Sequence, residues 1–373
     1  MKRTSFRYVV PGVAALALTL SACGAGNEGG SSNGSGNSDA PSAASGLSGE
    51  LRGAGATSQE KAQEAWATAI QGLNDGNLTV DYQGIGSTDG RGQFIDGATS
   101  FAGSDSYLKE EELEGARERC GGNVIEIPAY VSPIAIAFNV PGVDSLNLSP
   151  AVIADIFNNQ ITKWNDPAIV ADNPDADLPD ADISPVHRSD DSGTTKNFTD
   201  YLGKAAPDNW SYEAEDAFPV SGGNSQAAEG TSGVVELITN TENTIGYADE
   251  SQIGDLGTVS VGVGDTFSAP TAEGAAKVVA VSTRVEGRDA TDMATDVDRT
   301  TTEEGAYPVI LLSYLIACEN YDDDTEAANV KGYLSYIVSD EGQQAAADAA
   351  GSAPLSSEIA TEAQGIVENI SAG

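Results

Sequence analysis

Histidine occurs once in this 373-residue chain and cysteine three times, so a recognisable cluster of soft metal ligands is excluded and no metal is expected. Basic residues are scarce as well. Lysine and arginine total 18 against 57 aspartates and glutamates, a formal net charge of -39. Such a field repels nucleic acid and keeps the surface well solvated. The acidic residues are spread along the chain, with one cluster at Asp322, Asp323 and Asp324. Beyond the first twenty residues no apolar run is long enough to span a bilayer. Any anion site in this molecule must therefore work through short-range donors, because the long-range potential opposes it.

What is present begins with an export signal. Lys2, Arg3 and Arg7 precede an apolar stretch from Val9 to Leu20, which is too short to cross a membrane comfortably. It ends in Leu20-Ser21-Ala22-Cys23, which resembles the bacterial lipobox, where the signal is cleaved and the new N-terminal cysteine carries lipid. The expectation is a lipoprotein signal peptide over 1–23, lipidation of Cys23, and an extracytoplasmic protein held to the cell membrane by lipid alone. The Gly/Ser/Asn-rich residues 24–47 read as a flexible tether, with a root-mean-square reach of about 25 Å. Within it, Gly24-x-Gly26-x-x-Gly29 and Gly30-x-Ser32-x-Gly34 fit nucleotide-binding and hydrolase patterns. Neither has the strand and helix that those patterns require. In an oxidising compartment the two remaining cysteines, Cys120 and Cys318, are expected to form a disulfide.

Residues 48–373 are long enough for two α/β lobes, and strand and helix signals alternate along them. Leu51-Arg52 runs into Gly53-Ala54-Gly55-Ala56-Thr57-Ser58, followed by Ala62, Trp66, Ile70 and Leu73 at helical spacing. The strand, glycine turn and helix recur at Leu78–Gln83 and Gly84-Ile85-Gly86-Ser87. Phe101-Ala102-Gly103-Ser104-Asp105 reads as a third strand end. Small residues at three strand ends fit backbone that approaches a ligand at the carboxyl edge of a sheet. Asn123–Val140 reads as two strands joined by a crossing segment, with the return crossing at Tyr307–Ile310.

The most informative stretch is Arg188-Ser189-Asp190-Asp191-Ser192-Gly193-Thr194-Thr195. It sets an arginine before a Ser-Gly-Thr-Thr run that opens a helix. A helix N-terminus offers free N–H groups and a positive dipole end, to which hydroxyls and a guanidinium add donors, so this is an anion-binding arrangement.

With this stretch, Gly53-Ala54-Gly55-Ala56-Thr57, Tyr82-Gln83-Gly84-Ile85-Gly86-Ser87, Gly103-Ser104-Asp105 and Lys163-Trp164-Asn165-Asp166-Pro167 resemble the phosphate-binding lipoproteins of bacterial ABC phosphate importers. The resemblance covers nearly all of the chain after the tether. It implies a type II periplasmic-binding-protein fold: two α/β lobes, two hinge strands, and one inorganic phosphate in the cleft for delivery to an ABC permease. It implies no cofactor and no catalytic residue. Lobe 1 is expected at 48–130 and 306–373 and lobe 2 at 131–305, with hinge crossings near Tyr130–Ser132 and Ala306–Val309, in a monomer that binds no nucleic acid.

Carried over residue by residue, the resemblance implies backbone donors at Thr57, Ser58, Gly193 and Thr194, and hydroxyl donors from Thr57, Ser87, Ser192 and Thr194. Arg188 would be the one cation, held by Asp190, and Asp105 would accept a phosphate O–H that sulfate cannot offer. Three departures stand out. Ser58-Gln59 replaces the family's aromatic residue and proline, which predicts a wetter cleft wall, and Asp89 and Asp191 stand where small residues are usual. The same fold binding sulfate or molybdate is the nearest rival reading. A secreted phosphatase using Ser192 or Ser87 with His187 as base is more distant, because His187 and Arg188 should face opposite ways on an extended strand.

Overall fold

The computed structural model describes residues 42–373. The signal segment, Cys23 and the tether up to residue 41 lie outside the described residues. From Ser42 onward, residues read as the end of the tether are part of the folded body. Ala44 and Leu47 are buried in the first core, because the helix they pack on lacks a side chain at Gly332, where an added Cβ would lie 2.5 Å from the Ala43 carbonyl oxygen and Leu47.

The chain runs β1 (Gly49–Gly55), α1 (Glu60–Leu73), β2 (Leu78–Gly84), α2 (Ser87–Ile95), β3 (Phe101–Ser104), α3 (Glu110–Cys120) and β4 (Val124–Asn139). It continues through β5 (Ser145–Leu148), α4 (Pro150–Phe157), α5 (Pro167–Asp172), β6 (Ser184–Arg188), α6 (Gly193–Ala205), β7 (Gln226–Ala228), α7 (Gly230–Asn240), β8 (Thr244–Asp249), β9 (Gly257–Val263), β10 (Thr266–Ser268) and α8 (Ala272–Val281). A short β11–β12 pair (Thr283–Arg284 and Thr295–Asp296) precedes β13 (Ile310–Cys318), α9 (Asp324–Ile337), α10 (Asp340–Ala350) and α11 (Ser357–Val367).

The main sheet has the order β2-β1-β3-β13-β4-β8-β6-β7. Its two flanks are parallel, β2-β1-β3 and β8-β6-β7. The antiparallel pair β13 and β4 joins them. Instead of two strands and a connector, β4 is one buried 16-residue strand. Pro128 is accommodated because the ladder slips between Ser313 and Tyr314, so that Ser313 faces Tyr130 and Tyr314 faces Pro128. A bulge at a proline is where a strand tolerates a residue without an N–H.

Two hydrophobic cores flank this pair. The first holds Trp66, Phe94, Ile125, Ile127, Tyr130, Leu315 and Tyr333. The second holds Val131, Ile134, Phe157, Trp164, Phe198, Tyr307 and Leu312. The cores exchange at Tyr130/Val131 on β4 and at Tyr314/Leu315 on β13. Ala306, Tyr307 and Val309 belong to the second core, and Met293 packs in the first, its N–H on the Glu126 carbonyl at 2.7 Å.

The expected disulfide is present. Cys120 at the end of α3 and Cys318 at the end of β13 are bonded, with Cα atoms 5.3 Å apart, and both lie in the first core. Among the described residues, no helix is long and apolar enough to cross a membrane.

Candidate functional site

Each parallel flank delivers helix N-termini to the same place. Strands β1, β2 and β3 end in glycine, serine and threonine turns, as do β6 and β7, so helices begin where the sheet edge faces the other flank. The turns are tight for reasons of packing as well as access. A Cβ on Gly90 of α2 would lie 2.3 Å from the Gly55 Cα, and one on Gly55 would lie 1.8 Å from the Gly103 carbonyl oxygen. Gly86 has φ +97° and seats α2 against Asp190 and Asp191. Gly90 thus lets α2 pack closely on β1, and Gly55 lets β1 approach β3.

Asp105, just past β3, is the centre of the arrangement and is 3% exposed. Its Oδ1 accepts hydrogen bonds from Ser58 Oγ at 2.7 Å and Ser313 Oγ at 2.5 Å, and its Oδ2 accepts from Thr194 Oγ1 at 3.0 Å. Its N–H donates to Ser87 Oγ at 3.1 Å, and its carbonyl accepts from Asn197 Nδ2 at 2.5 Å. Gly193 fits beside them, since a Cβ there would lie 2.6 Å from Ser87 Oγ and 2.7 Å from Asp105 Cβ. Burial pushes the Asp105 carboxyl upward, against the pull of the Ser313, Ser58 and Thr194 hydroxyls and the Arg188 charge.

Arg188 ends β6 with its side chain 2% exposed. Its Nε donates to Asp190 Oδ1 at 2.7 Å and its Nη2 to Asp190 Oδ2. The Gly230 N–H joins Asp190 Oδ1 at 3.0 Å. Burial alone would raise the Asp190 carboxyl, but the Arg188 fork and charge outweigh it and hold the group below the ordinary carboxylate range. Arg188 is thereby pre-oriented, with two of its five N–H donors engaged by Asp190.

Ser192 caps α6 in extended backbone, its Oγ accepting the Thr195 N–H at 3.3 Å. Gly193 and Thr194 are the first two helical residues, whose amides have no intrahelical acceptor. Thr57 and Ser58 open the turn that leads into α1 in the same way. All eight residues singled out by sequence are buried in this one region.

Several members had no place in the sequence reading. Thr231 at the start of α7 shares a hydroxyl hydrogen bond with Thr57 at 2.8 Å, and its own Gly-Thr turn after a strand repeats the signature found elsewhere. Gln252 Nε2 reaches the Thr57 carbonyl at 3.0 Å, and Lys61 Nζ reaches the Ser251 carbonyl. Ser313 is the one small polar residue between Ile310-Leu311-Leu312 and Tyr314-Leu315-Ile316, an interruption that could have marked it.

One expectation changes, and the remaining residues named from sequence find their places. Ser58 and Gln59 do not make a wet wall, because both are fully buried and Gln59 hydrogen-bonds the Tyr314 carbonyl at 3.3 Å and Gln63 at 3.0 Å. Asp89 and Asp191 are exposed, Asp89 in the first turn of α2, where a carboxylate suits the helix dipole. Lys163-Trp164-Asn165-Asp166-Pro167 builds the start of α5, with Asp166 Oδ1 accepting the Ala168 N–H. His187 stacks on Phe218 with ring centroids 4.4 Å apart, and its Nδ1 lies 2.8 Å from the Arg188 carbonyl oxygen. Among the described residues no group of three or more His, Cys, Asp or Glu could hold a metal ion.

The chain matches the PBP superfamily domain over residues 40–341. It is 36% identical over 351 residues to the phosphate-binding protein PstS2 of Mycobacterium bovis, covering 92% of each chain. It is 29% identical over 303 residues to the phosphate-binding protein PstS of Haemophilus influenzae, covering 80% of this chain and 86% of that one. Its fold matches a high-affinity periplasmic phosphate-binding protein bound with phosphate, with a TM-score of 0.71 and 21% identity over 85% of this chain and 93% of the other. The phosphate-binding protein of Stenotrophomonas maltophilia matches with a TM-score of 0.65 and 19% identity, over 85% and 94% of the two chains. The structural likeness bears out the two-lobed α/β architecture. With relatives this similar over nine-tenths of its length, the chain belongs to the PBP superfamily and, within it, to the PstS phosphate-binding proteins.

Proposed function

We propose that this protein binds inorganic phosphate outside the cytoplasmic membrane and delivers it to an ABC permease, with no catalytic step. The observation that carries the reading is Asp105. A buried carboxylate that gathers hydroxyls from both halves of the molecule, Ser58 on one side and Thr194 on the other, is an acceptor facing an anion-binding set of donors. Phosphate near neutral pH brings a proton for that acceptor, whereas sulfate brings none and is repelled. Thr57, Ser58, Gly193 and Thr194 supply amides, Ser87 and Ser192 hydroxyls, and Arg188 the full positive charge.

The hinge of this reading lies where the cores exchange, at Tyr130/Val131 and Tyr314/Leu315. The disulfide, inside one core, leaves closure free. Cys23 carries lipid, residues beyond it tether the body to the membrane, and the protein acts as a monomer. Isothermal titration with phosphate, then sulfate and molybdate, tests the reading. Phosphate binding that excludes the other two supports it, and preferred binding of sulfate overturns it. Turnover of a chromogenic phosphate ester would overturn the non-catalytic assignment.

A further inference from the structure

Asp105 depends on a residue outside the expected ligand set. Ser313 lies on β13, in the pair of strands that links the two flanks, and is fully buried. The bulge beside it, forced where Pro128 cannot donate to the ladder, sets Ser313 opposite Tyr130 and Tyr314 opposite Pro128. Tyr314 Oη accepts the Thr295 N–H at 3.1 Å, and Ser313 Oγ donates to Asp105 Oδ1 at 2.5 Å. That oxygen already accepts Ser58 Oγ at 2.7 Å. A carboxylate oxygen has two lone-pair positions, so Oδ1 is saturated. Oδ2 holds Thr194 Oγ1 at 3.0 Å and keeps one position.

Resting on the phosphate-binding reading, we infer that Ser313 is a positioning residue for oxyanion selectivity. Its hydroxyl closes the inner face of Asp105, keeps that group an acceptor, and leaves one lone pair on Oδ2 for a single ligand O–H. An alanine opens a lone pair on Oδ1 in a buried site. A proton taken there turns Asp105 into a donor, which welcomes a fully deprotonated oxyanion such as sulfate. The ionisable groups that act electrostatically with Asp105 are Arg188 of β6, Tyr82 of β2 and Asp249 of β8. Asp249, pushed up to about 7 by burial, titrates between the two test pH values and is coupled to Asp105, so Asp249→Asn is introduced in both wild type and variant to remove its contribution from the comparison.

The test is isothermal titration of wild type, Ser313→Ala and Ser313→Thr with phosphate and with sulfate at pH 5.5 and 8, beside thermal melts. A hydrogen bond to a charged group corresponds to roughly a tenfold to hundredfold change. Ser313→Ala should weaken phosphate by about that factor, narrow the gap between phosphate and sulfate, and narrow it more at pH 5.5. Ser313→Thr, which keeps the hydroxyl, should restore both. If Ser313→Ala does not fold, Ser313→Cys, with a weak donor of similar size, should shift selectivity in the same direction. Weaker phosphate binding with unchanged selectivity at both pH values means a merely structural serine and overturns the inference. Wild type that fails to bind phosphate overturns the functional reading instead.

Discussion

Replacing Arg188 with alanine should weaken phosphate binding more than any other single truncation in the site, and the structure supplies the magnitude. The guanidinium is buried, forked onto Asp190, and is the one full positive charge among the eight expected ligand residues. Its loss removes charge-assisted donors and also strands the Asp190 carboxylate, whose remaining partner is the Gly230 N–H. Truncating one member of a buried hydrogen-bonded charge pair costs about 2 to 5 kcal/mol, or about 30-fold to several thousand-fold in affinity at 1.4 kcal/mol per decade. The upper half of that range is expected. At an assumed separation of about 6 Å and an effective dielectric near 20, a stranded carboxylate would repel a bound anion by roughly 3 kcal/mol. The double variant Arg188→Ala/Asp190→Asn should therefore recover part of the loss, about tenfold, which the double-mutant cycle isolates. Titration calorimetry of the four proteins, with circular dichroism to verify folding, is the assay. A folded Arg188→Ala that binds phosphate within about threefold of wild type would refute the assignment of Arg188 to the ligand, and absence of recovery in the double variant would refute the stranded-charge argument.

Asp105→Asn should retain phosphate binding in weakened form while sulfate rejection collapses, and equal rejection of sulfate by variant and wild type in competition titrations would count against the acceptor role. Asp249, fully buried at the end of β8 between the Tyr130 hydroxyl and Ser251, has its carboxyl pushed up to about 7 by burial. The folded state then holds a proton that the unfolded chain releases near pH 4, so stability should fall as pH rises from about 4 to 7, by on the order of 4 kcal/mol in total. Asp249→Asn should raise the melting temperature at pH 8 and not at pH 4, and a shift equal at both values would contradict this. Reduction of Cys120–Cys318, which closes a loop of 198 residues, should remove about 5 kcal/mol of stability in the chain-entropy model, with phosphate affinity nearly unchanged by titration. Because the net charge is -39, added sodium chloride should speed phosphate association modestly in stopped-flow experiments, and a steep fall would mean that a basic surface steers the ligand.

The parts legible from sequence were those governed by local chemistry. A glycine turn between strand and helix, a Ser-Gly-Thr-Thr helix start and an arginine two residues before an aspartate each carry their function in neighbouring residues, and all of them meet in the structure. Cys120 and Cys318 are paired, as expected from the sequence. What only tertiary structure decided involves residues distant in sequence. Ser313 and Thr231 reach Asp105 and Thr57 across 208 and 174 residues, and no local pattern reports a contact that sheet register creates. The same holds for Gln59, whose polarity predicted water but whose partners are Gln63 and the Tyr314 carbonyl. The place where the cores exchange on β13 depends on a bulge opposite Pro128. Short-range preferences set the elements and the donors, whereas register and packing set which side chains share a site, because those terms are sums over the whole folded chain.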